Sequence, residues 1–479
     1  MLDRQTPCSG KATVHIGGIM PRRLPPCLKS LSGFMFAALL VSVAVMSPAA
    51  AAVYGAKSFM LANGMQVVVI PNHRAPVVSH MVWYKVGSAD EKPGKSGIAH
   101  FLEHLMFKGT PKYSGTALTD TVARNGGDQN AFTSYDYTGY YQNIAVDRLP
   151  LVMDIEADRM RNLALTEEDV ATERDVIIEE RRMRTDNVPA AQLAERVNAS
   201  LWMTNPYGIP VIGWEAEMRA LSREDAFAVY KEYYAPHNAI LVVAGDITLE
   251  KLKPLAEKYY GVIPKTGEYK PRQRSTFLQP RADTRVIMNH ERVRQPQWTR
   301  QIIAPSYSIG DRKDVHALQV FSEIAGGGAT SKLYRTLVVD QQVAASFGTG
   351  YSADTVSYGT FYVSLTPRPD VPWETAEAAY TKAMEALLKD GITDADVAQA
   401  KQRMVAGLAF AKDSPMRAAQ AVGADLSVGK TLAEIESWPD DIGKVTAEQV
   451  RSAARKLFTQ YSTATGILLP PVSAEAGAP

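Results

Sequence analysis

The chain has 479 residues and a formal net charge of +1, so it lacks the overall charge that draws a protein to nucleic acid or to an anionic membrane surface. Apolar residues at 46% and charged residues at 22% are those of an ordinary globular protein and exclude a disordered or fibrous one. A chain this long divides into about two or three domains.

Residues 1–52 read as an export leader. Arg22, Arg23 and Lys29 precede an apolar run from Phe34 to Met46, which ends in an alanine-rich exit, the pattern of a secretory signal peptide. Met20 offers a second start for it. The run is short for a membrane span, so attachment to a membrane is expected only if the leader is retained. The expected location is therefore the periplasm or the exterior. Both cysteines, Cys8 and Cys27, fall in the leader, so the mature chain forms no disulfide, and any metal site must use His, Asp or Glu.

After the leader, valine-rich stretches at 64–70 and 76–86 read as strands. A helix then carries GIAHFLEHLMFKGT, residues 97–110. Ile98, Phe101, Leu102, Leu105 and Met106 recur at the spacing of a buried helical stripe, which places His100, Glu103 and His104 on the opposite side. His100 and His104 are one turn apart, so both imidazoles can converge on one metal ion. The alternative is a solvated helix face with three polar residues.

An aromatic strand follows from Asp136 to Val146, and another helix opens at Thr166, with Asp169 completing a capping box. This helix offers Glu167, Glu168, Glu173, Glu179 and Glu180. An arc drawn through Val170, Val176, Ile177 and Met183 contains Glu173 and Glu180 and leaves out Glu168 and Glu179. Carboxylates on a buried arc need partners. A hydrolytic zinc site, which uses three protein ligands, would supply one kind; salt bridges to Arg174, Arg181 or Arg184 would supply the other.

A strand at 239–247 ends the first unit, and the Pro-, Lys- and Arg-rich stretch around 264–284 reads as a linker. Beyond it the pattern returns. LTEEDVATERDVIIEE at 165 resembles ITDADVAQAKQRMVAG at 392, and YKEYYAPHNAILVV at 230 resembles RKLFTQYSTATGILL at 455. The reading is a duplicated α+β fold, with one repeat at 53–263, a second at 285–470 and a tail at 471–479. Setting Phe101, Leu102 and Leu105 against Val320, Phe321 and Ile324 aligns His100, Glu103 and His104 with Gln319, Ser322 and Glu323. The second copy keeps the core stripe and lacks the polar set, which points to a function for that set in the first.

HFLEH followed by ERDVIIEE, together with GGDQNAFTSYDYTGYY, NPYGIPVIG and YYAPHNAILVVAGDI, resembles the pitrilysin/insulinase family of zinc metallopeptidases with an inverted motif. The length and the two repeats are similar to its short-chain branch, which includes the mitochondrial processing peptidase and bacterial homologues. The resemblance implies one Zn²⁺ per chain, held by His100, His104 and Glu180, with Glu103 as general base. It also implies Glu173 as the carboxylate behind the ligands, and Asn130, Ala131 and Phe132 as the start of a strand that holds peptide backbone. Members that grip substrate carry an Arg and a Tyr seven residues apart in the second repeat, where this chain has Val338 and Ala345. The implied function is an exported zinc metalloendopeptidase acting on small or unfolded polypeptides. It would be the catalytic subunit of a heterodimer whose homologous partner supplies the pair, with a homodimer as the other possible assembly. A non-catalytic binding or assembly subunit of the same family is the alternative, and a zinc carrier would leave Glu103 without a role.

Overall fold

The computed structural model describes residues 53–274 and 281–471. The leader, residues 275–280 of the linker and nearly all of the tail lie outside the described residues. Six strands form the first sheet: β1 (Lys57–Met60), β2 (Gln66–Pro71), β3 (Val77–Tyr84), β4 (Asp128–Thr133), β5 (Thr138–Ala145) and β6 (Ala239–Gly245), in the order β1-β2-β6-β3-β5-β4. Five form the second: β7 (Asp283–Asn289), β8 (Gln297–Ala304), β9 (Ala344–Ser352), β10 (Gly359–Pro367) and β11 (Thr463–Leu469), in the order β7-β11-β8-β10-β9.

The two orders superimpose strand for strand. β2 lies parallel to β6 as β7 does to β11, and the remaining pairs are antiparallel in both sheets. β1 alone has no counterpart among the described residues. The helices Glu167–Arg181 and Asp394–Asp413 also correspond, each opened by a complete capping box, Thr166 with Asp169 and Thr393 with Asp396. The chain is thus α+β and internally duplicated, as its sequence repeats suggest.

The central strands are buried on both faces, which explains their continuous apolar runs. On one face of the first sheet, Val67, Val69 and Leu241 pack with Phe101, Leu102 and Leu105 of the chain's own first helix. The other face is covered from the second half: Ala418, Ala419 and Val422, on the helix Pro415–Ser427, pack against Val68, Met81, Trp83 and Ile240. The exchange is reciprocal. Leu193 and Val197, on the helix Pro189–Trp202, pack against Ile303, Ala464 and Leu468 of the second sheet. Each fully buried Val, Leu, Ile or Met side chain contributes about 1.5–3 kcal/mol, so each half completes the core of the other.

Two local expectations are corrected. The strand read from Asp136 begins at Thr138, because Asp136 lies in the hairpin turn, where its carboxylate meets Arg274 and the hydroxyl of Tyr207. The linker ends earlier than its reading to 284, since β7 begins at Asp283, and its Arg272 and Arg274, with side chains 10% and 8% exposed, pair with Asp90 and Asp136.

Candidate metal centre

The helix Ile98–Leu105 starts where Gly97 adopts φ 86°, in the left-handed region. A Cβ on Gly97 would stand 2.5 Å from the Ile212 carbonyl oxygen, and one on Gly213 would stand 2.5 Å from the Ser96 carbonyl oxygen. The main chains of the HFLEH and NPYGIPVIG stretches therefore touch directly. Glu91 accepts hydrogen bonds from the amides of Gly97 (2.9 Å) and Ala99 (2.8 Å), satisfying donors that the first turn leaves free.

Every residue of this helix except His104 is buried. The expected stripe, Ile98, Phe101, Leu102, Leu105 and Met106, lies in the core, yet His100 and Glu103 on the other side are only 7% exposed. The reason is the helix Glu167–Arg181, which lies across them and brings Glu173 and Glu180 inward, each 9% exposed. Glu179 points to solvent and pairs with Arg182 at 3.1 Å. The arc drawn from the sequence is corrected in two members: Val176 and Met183 are 45% and 61% exposed, because they face an open cleft. The buried set is Val170, Ile177 and Ile178, with Glu173 and Glu180 among them. Met183 also lies in a π-helical turn, Arg182–Asp186, whose wider spacing breaks the helical phase.

His100, His104 and Glu180 place one ligand atom each within 4.8 Å of the others. Glu180 Oε2 lies 3.7 Å from His100 Nε2 and 3.2 Å from His104 Nε2. A tetrahedral ion with bonds of about 2.0–2.1 Å spaces its ligands about 3.3 Å apart, so these separations fit zinc. Glu180 Oε2 is buried and accepts no hydrogen bond among the described residues, while its Oε1 is held by Arg184 at 2.5 Å. The unpartnered oxygen is thus the one that faces both imidazoles. Two imidazoles and one carboxylate are also the donor set of hydrolytic zinc sites.

Glu173 stands behind this trio. Its Oε1 lies 2.8 Å from His104 Nδ1 and its Oε2 lies 2.5 Å from Lys108 Nζ. Although burial opposes it, the bonds from His104 and Lys108 hold the Glu173 carboxyl below its ordinary range, so it is ionised and His104 Nδ1 must be the donor. His104 Nε2 is then the nitrogen that faces Glu180, and its lone pair would become available to a metal ion that displaces its proton. Burial, reinforced by His104, lowers His100 to about 4. Burial also opposes charge on His104, but Glu173 and Glu180 outweigh it and raise it to about 9. The donor set accordingly favours a positive charge at its centre.

Glu103 does not join the ligand trio. Its Oε2 accepts a hydrogen bond from Thr133 Oγ1 at 2.5 Å, and burial raises its carboxyl above the ordinary range. Asn130, Ala131 and Phe132 lie on β4, the terminal strand of the first sheet among the described residues. Ala131 faces the helix, while Phe132 packs edge-on against Trp83 at 5.0 Å between ring centroids. The edge of the strand thus borders a cleft of about 720 Å³ that also contains His100, Glu103, His104 and Glu180. An adjoining space of about 540 Å³ reaches past Glu103 and His104 to Lys108 and Glu173. Thr133 and Lys108 are the polar neighbours that sequence reasoning missed, whereas Arg184 was among the expected salt-bridge partners and does pair with Glu180. Lys108 alone carried a signal, one turn beyond His104 on the same side.

In the second half the corresponding positions are closed differently. Gln319 accepts from Trp438 Nε1 (3.1 Å), and Glu323 pairs with Arg403 (2.6 Å). No second trio of metal-ligand type forms among the described residues.

The geometry agrees with the chain's relatives. Residues 66–214 match the family model "Insulinase (Peptidase family M16)", and residues 220–404 match "Peptidase M16 inactive domain". The zinc protease PqqE of Helicobacter pylori is 32% identical over 349 residues, 72% of this chain and 77% of that protein. An uncharacterised zinc protease of Mycobacterium bovis is 31% identical over 410 residues, 84% of this chain and 90% of that one. The crystal structure of a protease from Helicobacter pylori superimposes with a TM-score of 0.78 at 27% identity, covering 87% of this chain and 99% of that one. A peptidase M16 inactive domain from Pseudomonas fluorescens gives a TM-score of 0.76 at 16% identity, covering 88% and 98%, and shares the fold. The chain belongs to the insulinase family, peptidase family M16.

Proposed function

We propose that this chain is a zinc metalloendopeptidase in which His100, His104 and Glu180 hold the ion and Glu103 is the general base. The observation that carries the reading is the unpartnered, buried Glu180 Oε2 facing both imidazole Nε2 atoms, with Glu103, one turn after His100 and next to His104, on the same cleft. Held by His100, His104 and Glu180, a zinc ion would supply Lewis-acid polarisation of a carbonyl and would lower the pKa of a water molecule towards ~7. Glu103 takes the proton from that water and delivers it to the leaving amine. The edge of β4 offers main-chain amides and carbonyls to an extended peptide regardless of its side chains, which suits small or unfolded polypeptides. Glu173 keeps His104 turned towards the ion.

The proposal extends to assembly and location. Val338 is partly buried against the second core and Ala345 is exposed on β9, so neither position offers a charge or a hydroxyl to a bound peptide. This supports a catalytic subunit that works with a homologous chain carrying the Arg and Tyr. The leader pattern in residues 1–52 supports export. Zinc content and peptide cleavage, measured on the purified chain alone and with a homologous partner, test both parts. Zinc binding with cleavage only in the presence of the partner is expected. Full cleavage by a monomeric chain would remove the heterodimer and keep the peptidase, whereas zinc without cleavage in either setting would leave a binding or assembly subunit.

A further inference from the structure

Glu103 is nearly buried, and among the described residues one side chain donates to it, Thr133, at 2.5 Å. Thr133 is the last residue of β4 and shares a face with Ala131, two residues earlier, so its hydroxyl is directed at the helix by the strand itself. Its place along the strand is set by a tight hairpin: Thr133 pairs with Thr138, and the Ser134 amide donates to the Tyr137 carbonyl at 2.8 Å. The hairpin is pressed onto the segment Gly87–Ala89. The amides of Ser88 and Ala89 donate to the carbonyls of Ser134 (3.0 Å) and Tyr135 (2.9 Å), and a Cβ on Gly87 would stand 2.3 Å from the Ser134 oxygen.

The tip of the hairpin is tied to the rest of the chain. Asp136, 2% exposed, accepts from the Val356 amide of the second half (3.0 Å) and from Arg274 of the linker (3.1 Å). The duplicated strand makes a similar contact without a carboxylate: Thr349 on β9 donates at 2.8 Å to the carbonyl of Ser322, the residue at the Glu103 position. In the first half a hydroxyl of the corresponding strand, that of Thr133, meets the side chain of Glu103 instead.

We infer that Thr133 is a positioning residue for Glu103, holding one carboxylate oxygen so that the other is presented to water, and that the hairpin 133–138 places this orientation under the grip of the linker and second half on Asp136. The inference rests on the reading of Glu103 as the base.

The test compares Thr133→Val, Thr133→Ser and Asp136→Asn in the full chain, with the partner subunit present if cleavage needs it. All three are expected to keep wild-type zinc content. Thr133→Val should lower kcat by about 10–100-fold, the range for removing a group that orients a functional side chain, with KM within about twofold. Thr133→Ser should restore most of the loss, and Asp136→Asn should lower kcat by a smaller factor without a change in zinc. A second readout does not need turnover. Acetohydroxamate binds zinc and passes a proton to a neighbouring carboxylate, so its calorimetric affinity for the zinc-loaded chain should fall on the order of tenfold in Thr133→Val and in Glu103→Gln, with no further fall in the double variant. Unchanged kcat and unchanged acetohydroxamate affinity in Thr133→Val, with wild type active, would overturn the positioning role and leave the peptidase reading standing. Equal loss in Thr133→Ser and Thr133→Val would also overturn it. An inactive wild type whose acetohydroxamate affinity still depends on Thr133 and Glu103 would uphold the positioning role and remove the peptidase reading.

Discussion

Glu173 and His104 meet across a 2.8 Å hydrogen bond from the imidazole Nδ1 to the carboxylate Oε1, and this contact decides which nitrogen of His104 can bind a metal. Replacing Glu173 with Gln removes the charge and lets the amide present a donor to Nδ1. Zinc affinity should fall by about 10–100-fold, the usual cost of losing a carboxylate behind a ligating histidine. Competition with a chelator of known affinity measures it, and an unchanged constant would show that Glu173 serves only its bond to Lys108.

Glu179 and Glu180 are adjacent in sequence and point in opposite directions. Glu180→Gln should abolish stoichiometric zinc binding, whereas Glu179→Gln should leave it intact, because Glu179 points away from the site and pairs with the exposed Arg182. Metal analysis of the two purified variants decides the matter, and equal zinc content would take Glu180 out of the ligand set.

Glu103→Gln keeps the shape of the side chain and the contact with Thr133 but cannot accept a proton. Zinc should stay bound while turnover falls by about 10²–10⁴, the contribution of a placed general base. Cleavage at the original rate would mean that another group takes the proton.

The packing between halves is tested at Gly423, with the exposed Gly407 as a control. A Cβ on Gly423 would stand 2.2 Å from the ring of Trp83, which is itself only 1% exposed and cannot move aside. Gly423→Val should therefore destabilise the chain by about 1–3 kcal/mol through overpacking, read as a lower urea midpoint. Gly407, on an exposed stretch of the helix Asp394–Asp413, has nothing within 4 Å of its Cβ position. Gly407→Ala should raise stability by up to about 1 kcal/mol through helix propensity alone. A neutral Gly423→Val would mean that the halves are less tightly apposed than this packing requires.

How far the site could be read from the sequence depended on what local periodicity encodes. His100 and His104 share a helical face whatever surrounds them, and Glu173 and Glu180 share an arc with Val170 and Ile177, so those groupings were legible. Val176 and Met183 misled that same argument, because an apolar residue beside an open cleft has the spacing of a core residue without its burial. Lys108 and Arg184 follow His104 and Glu180 by one turn, so their side was legible as well. Thr133 carries no such pattern, and its role comes from which element lies opposite it.

Spacing along the chain determined the repeated α+β plan, the convergence of two imidazoles and the loss of the polar set in the second copy, because helix and strand periods act over a few residues and need no knowledge of the neighbours. The tertiary structure alone decided that each half lends a helix to the other's sheet, that Arg272 and Arg274 of the linker end in buried ion pairs with Asp90 and Asp136, and that Thr133 donates to Glu103. An apolar stripe states that a surface must be covered and does not say by what. A buried charge likewise requires a partner without naming it, and only the path of the chain, with its tight approaches at Gly97 and Gly87, brings one particular partner within reach.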